Sequence, residues 1–213
     1  MLAHENGASC IAFSPFGNKV ASGGSDGMVK VWNADSGQED KSTKASYAAI
    51  TCLEYNSNGC LLAAGDMNSE ITLLEKNTLH NKRKLQGHSD RVNNCKFTSA
   101  EKNRLISVSA DRTLKIWEVN NGKVFKNFAF SSAPHAIDVS SNDTYFASGH
   151  KNGDIRIWSL TDPKEIHKIR VHQDQITSLK FSRDGHEIIT SSKDHEIKIT
   201  EIRTLQTVAT LEH

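Results

Sequence analysis

The sequence has little that would point to a membrane, a metal centre or a nucleic acid. No apolar stretch approaches the roughly 20 residues of a transmembrane helix. The four cysteines include no CxxC pair, which argues against zinc and thioredoxin-like sites. A net charge of +1 gives no field that would attract nucleic acid or an acidic membrane surface. Long helices are also excluded, because no segment keeps a 3.6-residue apolar period.

Two further features of the sequence bear on the location of the protein. No signal peptide precedes the first repeat, because Met1 to His4 lead directly into it. Cys10, Cys52 and Cys95 fall in successive first strands, where a free cysteine acts as a small buried hydrophobe. We therefore expect a reducing, cytoplasmic setting without an integral membrane segment.

What the sequence does have is a repeat. Five aromatic or apolar residues follow one another at an interval of 42 residues: Phe13, Tyr55, Phe97, Val139 and Phe181. Two parallel series carry Asp or Asn (Asp26, Asn68, Asp111, Asn152, Asp194) and mostly Trp (Trp32, Leu74, Trp117, Trp158, Thr200). A period of about 40–45 residues with His, Asp and Trp landmarks is typical of a WD-repeat β-propeller. The sequence predicts an all-β propeller domain over residues 1–213, with blades at about 4–45, 46–86, 87–130, 131–171 and 172–213.

The third repeat shows how one blade is built. Val92, Cys95 and Phe97 predict a half-buried strand, and a short apolar segment follows from Leu105 to Val108. Leu114 and Ile116 flank Lys115 in a third segment, and the range 124–128 completes a fourth. Four such strands with turn residues between them predict one four-stranded antiparallel sheet.

Two repeats contain a full set of four polar side chains. The first has His4, Ser22, Asp26 and Trp32, and the third has His88, Ser107, Asp111 and Trp117. These sets resemble the structural tetrad of WD repeats, in which Asp orients His, and His and Ser link to the Trp indole. Inside a blade an unpaired donor is costly, so we expect the four groups to satisfy one another. The other three repeats lack one or more members of the set.

A His, Ser and Asp set also invites comparison with a hydrolase triad. The same set recurs in a second blade at the same spacing, whereas an active site is expected once. No nucleophile-elbow pattern accompanies it. We therefore expect no enzyme activity, no catalytic residue, no bound metal and no cofactor.

Three segments of the chain, in their order, resemble blades of one particular WD-repeat family. The segment SSAPHAIDVSSNDTYFASGHKNGDIRIW is similar to a divergent blade in the C-terminal propeller of the autophagy-related protein 16 family. The segments ITSSKDHEIKITEIRTLQTVATL and ITCLEYNSNGCLLAAGDMNSEITLL resemble two other blades of that family. The resemblance implies seven blades, and this chain has five repeats. Three explanations stay open: an open arc or fragment of a seven-bladed ring, a tight five-bladed ring, or partners that cover the ends.

Loops that precede the first strand, and turns between the second and third strands, share one edge of a propeller, the usual recognition rim. The candidate partner-binding residues on this rim are Arg91, Arg112, His150, Lys151, Asp174, Gln175 and Lys193. Their alternative interpretation is an ordinary solvated rim of mixed charge. In the family an aromatic and a basic residue stand where this chain has Lys151 and Gln175.

The resemblance implies a non-enzymatic interaction platform in autophagy, which recruits partners to the lipid-conjugation machinery. The expected partners are proteins or peptides at the rim and not nucleic acid. Recruitment to autophagic or endolysosomal membranes would be peripheral and would depend on those partners. The alternative is a generic WD-repeat adaptor, such as a ubiquitin-ligase substrate receptor or a trafficking or ciliary scaffold.

Overall fold

The computed structural model describes residues 3–5, 7–98 and 103–212. In these ranges the regular secondary structure consists of twenty β-strands, all of five or six residues. Strand lengths match the short alternating segments of the repeats, and hairpin turns rich in Gly, Asn and Asp separate them.

Consecutive strands pair into five four-stranded antiparallel sheets, which we number blades 1 to 5. Blades 1 to 3 comprise β1 (Ala8–Phe13), β2 (Lys19–Gly24), β3 (Met28–Asn33), β4 (Glu39–Lys44), β5 (Ile50–Tyr55), β6 (Leu61–Asp66), β7 (Ile71–Glu75), β8 (Asn81–Leu85), β9 (Val92–Phe97), β10 (Arg104–Ser109), β11 (Thr113–Glu118) and β12 (Val124–Ala129). Blades 4 and 5 comprise β13 (Pro134–Val139), β14 (Tyr145–His150), β15 (Asp154–Ser159), β16 (Glu165–Arg170), β17 (Ile176–Phe181), β18 (Glu187–Ser192), β19 (Glu196–Glu201) and β20 (Thr207–Glu212). The predicted all-β fold with five four-stranded blades is confirmed.

The chain divides into two compact units. The first comprises Met1–Asp111 and Lys115–Asn127, and the second comprises Arg112–Leu114 and Phe128–His213. Within the first unit, β1 contacts β5 and β5 contacts β9; within the second, β13 contacts β17. First strands of neighbouring blades therefore lie side by side in each unit.

The core of each unit lies between neighbouring blades. In the first unit Ala21 and Val31 of blade 1 share a buried cluster with Leu62 of blade 2. In the second unit Ile155 of blade 4 and Ile188 of blade 5 belong to one buried cluster. Alternate residues of a strand point to opposite faces, so each sheet can bury one apolar set against each neighbour.

The turn between the second and third strands joins one blade to the next. Gly153 occupies this turn in blade 4 with φ +84, and its carbonyl accepts hydrogen bonds from Val171 N–H at 3.1 Å and His172 N–H at 3.2 Å. A Cβ added at Gly153 would lie 2.0 Å from the His172 carbonyl oxygen. Glycine is therefore required here by space as well as by backbone conformation.

We expect Gly153→Ala to lower the free energy of unfolding by about 2 kcal/mol more than Gly17→Ala does. Gly17 is a matched control because its φ is +73 but no atom lies within 4 Å of an added Cβ. Both variants carry the same left-handed strain, and only Gly153→Ala adds a clash with backbone. Urea unfolding measures the difference, and equal losses for the two variants would show that the close approach does not matter.

Candidate protein-interaction site

A chain of hydrogen bonds runs through the interior of blade 1. Trp32 Nε1–H donates to Ser22 Oγ at 2.8 Å, and Ser22 Oγ lies 2.8 Å from His4 Nε2. On its other side His4 Nδ1 lies 3.1 Å from Asp26 Oδ1. The four side chains predicted to form a tetrad therefore contact one another in the expected order.

Blade 3 repeats the arrangement. Trp117 Nε1–H donates to Ser107 Oγ at 2.8 Å, and His88 Nε2 lies 2.8 Å from the same oxygen. His88 Nδ1 lies 2.8 Å from Asp111 Oδ2, which also accepts a hydrogen bond from Ser89 N–H at 3.0 Å. Two blades thus reach the same geometry from the same four residue types.

The direction of these chains follows from the Trp group, which can only donate. The serine oxygen accepts from the indole, so its own proton goes to His Nε2, and His Nδ1–H then donates to the carboxylate. The neutral tautomer satisfies every group. Ser107 is fully buried and Ser22 is 5% exposed, so neither hydroxyl can reach a substrate as a nucleophile would have to.

Blade 5 keeps part of the chain. His172 Nε2 lies 2.9 Å from Thr190 Oγ1, and His172 Nδ1 lies 2.9 Å from Asp194 Oδ2. Burial raises the pKa of Asp194, but hydrogen bonds from Gln173 N–H and His172 outweigh it and bring the pKa to about 2. Thr200 stands where a Trp would be, and its buried Oγ1 has no hydrogen-bond partner among the described residues.

We expect Thr200→Val to raise the free energy of unfolding by about 1 kcal/mol, because it removes a buried hydroxyl that makes no hydrogen bond. Thr190→Val is the matched control. It should destabilise the protein by about 1–3 kcal/mol, since it leaves His172 Nε2 without its partner. Denaturant unfolding of both variants tests the pair, and the same sign for both would contradict this assignment.

In blade 4 the missing histidine is supplied from an unexpected position. His150 Nε2 lies 3.0 Å from Ser148 Oγ, which accepts from Trp158 Nε1–H at 3.4 Å, and His150 Nδ1 lies 3.0 Å from the Ser132 carbonyl oxygen. Phe130 meets the imidazole edge to face with ring centres 4.8 Å apart. His150 is 1% exposed, so its prediction as a rim residue is wrong: hydrogen bonding turns its side chain into the blade.

Blade 2 shows a related replacement. It has Ala64 and Leu74 in place of Ser and Trp, and Asp66 at the end of β6 becomes the polar centre. Asp66 Oδ2 accepts from Ser46 Oγ at 2.6 Å, and Oδ1 accepts from the N–H groups of Asn68 and Glu70, each at 2.9 Å. Sequence reasoning missed Asp66 as it missed the role of His150. Both residues end a second strand, two positions before the recurrent Asp or Asn, and that shared position was the available signal.

The buried histidine of blade 4 makes stability depend on pH. Burial lowers the pKa of His150 from 6.5 to about 4. The folded protein therefore binds fewer protons than the unfolded chain, and stability is lost as the pH falls from about 6.5 towards 4. We expect this group to account for about 2 kcal/mol of lost stability between pH 7 and pH 5.

Urea unfolding at pH 7 and pH 5 measures the effect, and His150→Gln should remove it. His186→Gln is the matched control, because His186 is exposed and its substitution should leave the pH dependence unchanged. An unaltered slope in His150→Gln would assign the pH dependence to other groups.

The remaining rim candidates lie at the surface. Arg91 is exposed in the first unit, where its N–H donates to Asp90 Oδ1 at 2.7 Å. In the second unit Arg112, Lys151, Asp174 and Lys193 are exposed and Gln175 is half-buried. No ion pair involves any of these four cations within the described part of the chain.

The structure brings together two segments that are distant in sequence. The turn at residues 151–153 of blade 4 contacts the leading loop of blade 5, since an added Cβ at Gly153 would lie 3.2 Å from the Asp174 carbonyl oxygen. Lys193 N–H donates to the Gln175 carbonyl at 3.0 Å. This hydrogen bond holds the turn after the second strand of blade 5 beside the same loop. Lys151, Asp174, Gln175 and Lys193 therefore share one edge, which we call the blade 4–5 rim.

One cluster has ligand types that metals use. His172, Asp194 and Glu196 offer ligand atoms within 4.8 Å of one another. Both His172 nitrogens are already hydrogen-bonded, and Glu196 pairs with Lys198 at 2.7 Å. These hydrogen bonds and this ion pair within the chain therefore account for the arrangement of the three residues.

Comparison with known proteins adds the family. The model of the IFT122 first beta-propeller family matches residues 1–201. The chain belongs to this family. Propellers of this type generally serve as non-catalytic scaffolds for protein binding.

Curated relatives include protein tipD of Dictyostelium discoideum, 31% identical over 97% of this chain and 34% of the relative. Autophagy-related protein 16 of Arabidopsis thaliana is 28% identical over 98% of this chain and 41% of the relative. A guanine nucleotide-binding protein subunit beta of Zea mays is 28% identical over 96% of this chain and 58% of the relative. The chain therefore spans about a third to just under three fifths of these proteins. The resemblance to the autophagy-related protein 16 propeller is confirmed as similarity over almost the whole chain.

Proposed function

We propose that the chain is a non-enzymatic interaction platform of autophagy, which recruits partners to the lipid-conjugation machinery. The observation that carries the proposal is the 28% identity to autophagy-related protein 16 across 98% of this chain. The 31% identity to protein tipD of Dictyostelium discoideum over 97% of this chain shows that similarity to other curated proteins also extends over almost the whole chain. Recruitment to autophagic or endolysosomal membranes would then be through partners. The described residues contain no helix that could serve as a membrane span.

The absence of catalysis is part of the proposal. The buried hydroxyls of Ser22 and Ser107 accept from Trp and donate to His. The serine of each His–Ser–Asp set is therefore already hydrogen-bonded inside its blade. An interaction role agrees with exposed loops held by rigid sheets, because binding residues commonly lie on such loops.

The blade 4–5 rim is the proposed contact for a protein partner. Lys151 and Lys193 are exposed, and Asp174 lies between them on the leading loop of blade 5. Such a surface suits an extended peptide, whose carboxylate would pair with Lys151 and whose main-chain amide would bond with Gln175.

We expect Lys151→Glu to weaken partner binding at least about tenfold, because it replaces the attracting charge by a repelling one. Its thermal stability should not change, since exposed charges contribute little to folding. Lys164→Glu is the matched control: Lys164 is exposed in the same blade, but it lies in the turn between the third and fourth strands, at the opposite edge.

Affinity purification of the chain with mass spectrometry measures this. Components of the lipid-conjugation machinery should be enriched with the wild type and Lys164→Glu, and depleted with Lys151→Glu. Wild-type recovery of every partner by Lys151→Glu would exclude the blade 4–5 rim as the contact.

A generic WD-repeat adaptor is the second candidate function. The match of residues 1–201 to the IFT122 first beta-propeller favours it, because the description of that family does not name autophagy-related protein 16. The same purification separates the two. Enrichment of ubiquitin-ligase subunits or of trafficking or ciliary proteins, without conjugation components, would support the adaptor and overturn the autophagy role.

A further inference from the structure

The fourth strands of blades 1 and 2 use a basic side chain to fill the groove towards the next blade. Arg83 lies in β8 opposite Leu73, and its guanidinium donates to the carbonyls of Asn121 at 3.0 Å and Asn120 at 3.1 Å. Both acceptors lie in the turn between the third and fourth strands of blade 3. Arg83 also lies directly over Gly122, where an added Cβ would be 2.6 Å from its Cδ.

The groove between blades 1 and 2 is filled in the same way. Lys41 lies in β4 opposite Val31, in the register that Arg83 has in β8, and its Nζ donates to the Asn77 carbonyl. Asn77 belongs to the corresponding turn of blade 2. Two neighbouring grooves therefore hold a cation against turn carbonyls.

Blade 4 has a shorter side chain at this position. His167 lies in β16 opposite Ile157, in the same register, and its ring makes no hydrogen bond to any described residue. A cavity of about 620 Å³ lies beside it, towards blade 5. Its walls include Ile157, Ile166, His167, His186, Glu201 and Arg203. An imidazole does not span the distance that Lys41 and Arg83 span, so the groove is open.

The acceptor turn of blade 5 keeps the geometry of the filled grooves. Leu205 N–H donates to the Glu201 carbonyl at 2.9 Å, as Gly122 N–H does to the Glu118 carbonyl at 2.8 Å. Leu205 has φ 60 and Gly122 has φ 74, so both turns close through the left-handed region. The carbonyls of residues 203 and 204 therefore correspond to those of residues 120 and 121, and no described residue donates to them.

We infer that this groove, the blade 4–5 groove, binds the side chain of an arginine or lysine from a partner protein. The partner would supply in trans the cation that Lys41 and Arg83 supply within the chain. Ile166 is 39% exposed and offers an apolar surface for the aliphatic stem. Glu201 and Arg203 both line the groove, and their opposite charges offset each other. The turn carbonyls, which only accept hydrogen bonds, therefore select a donor such as a cationic side chain.

The groove is separate from the blade 4–5 rim. It involves the turns at residues 185–186 and 201–203, which follow the first and third strands of blade 5. Lys193 lies in the turn after the second strand, and antiparallel strands place that turn at the opposite edge. The two surfaces can therefore be tested independently.

The probe is N-acetyl-arginine N-methylamide, followed by amide chemical shifts of the ¹⁵N-labelled chain. We expect saturable shifts at Gly185 and His186, and binding at least about tenfold weaker for the neutral citrulline analogue. Equal binding of the citrulline analogue would overturn the preference for a cation. Tighter binding of the N-acetyl-glutamate analogue would assign the groove to acidic partners through Arg203, and would also overturn it.

Matched variants test the cause. His167→Arg should fill the groove from within and abolish the shifts at Gly185 and His186, and His167→Lys provides a second filled variant. Arg83→His should open the groove between blades 2 and 3 and create new arginine-dependent shifts at Asn121 and Gly122. Undiminished probe binding by folded His167→Arg and His167→Lys would refute the inference. Because the probe contains no partner sequence, failure here leaves the blade 4–5 rim proposal standing, and loss of that proposal leaves this one standing.

Discussion

The interior of each blade depends on one constraint: a polar group buried between sheets must find a hydrogen-bond partner. Where a Trp lies on the third strand, its indole N–H needs an acceptor, and a serine on the neighbouring second strand provides it. The serine then needs an acceptor for its own proton, which is a histidine nitrogen. Each link creates the requirement for the next, as the complete sets of blades 1 and 3 show.

Blade 4 shows that the requirement concerns the hydrogen-bond chain and not the residue positions. His150 reaches Ser148 from within the same strand and donates to the backbone carbonyl of Ser132 instead of a carboxylate. The chain from Trp158 keeps its direction, and burial lowers the pKa of the His150 imidazole to about 4. In blade 5 Thr200 stands in place of the Trp, and its hydroxyl has no hydrogen-bond partner in the part of the chain that the structure describes.

Much of this could be predicted from the sequence. The repeat interval, the alternating strands and the complete sets at His4 and His88 depend on spacing within one blade, which sequence shows directly. Ser148 and His150 are two residues apart and so face the same side of β14. That spacing was visible, but the expectation that a tetrad histidine precedes the first strand assigned His150 to the rim. Asp66 was missed because the tetrad pattern has its carboxylate in the following turn and not at the end of the second strand.

By itself the sequence determined the number of blades, their strands and the residues available for each hydrogen-bond chain, because these follow from local periodicity. Only the tertiary structure decided which side chains reach across from one blade to the next. Lys41 and Arg83 reach the turn carbonyls of the following blade, whereas His167 leaves a cavity of about 620 Å³. That difference depends on side-chain length measured across a gap between sheets, and the gap exists only after the blades have packed.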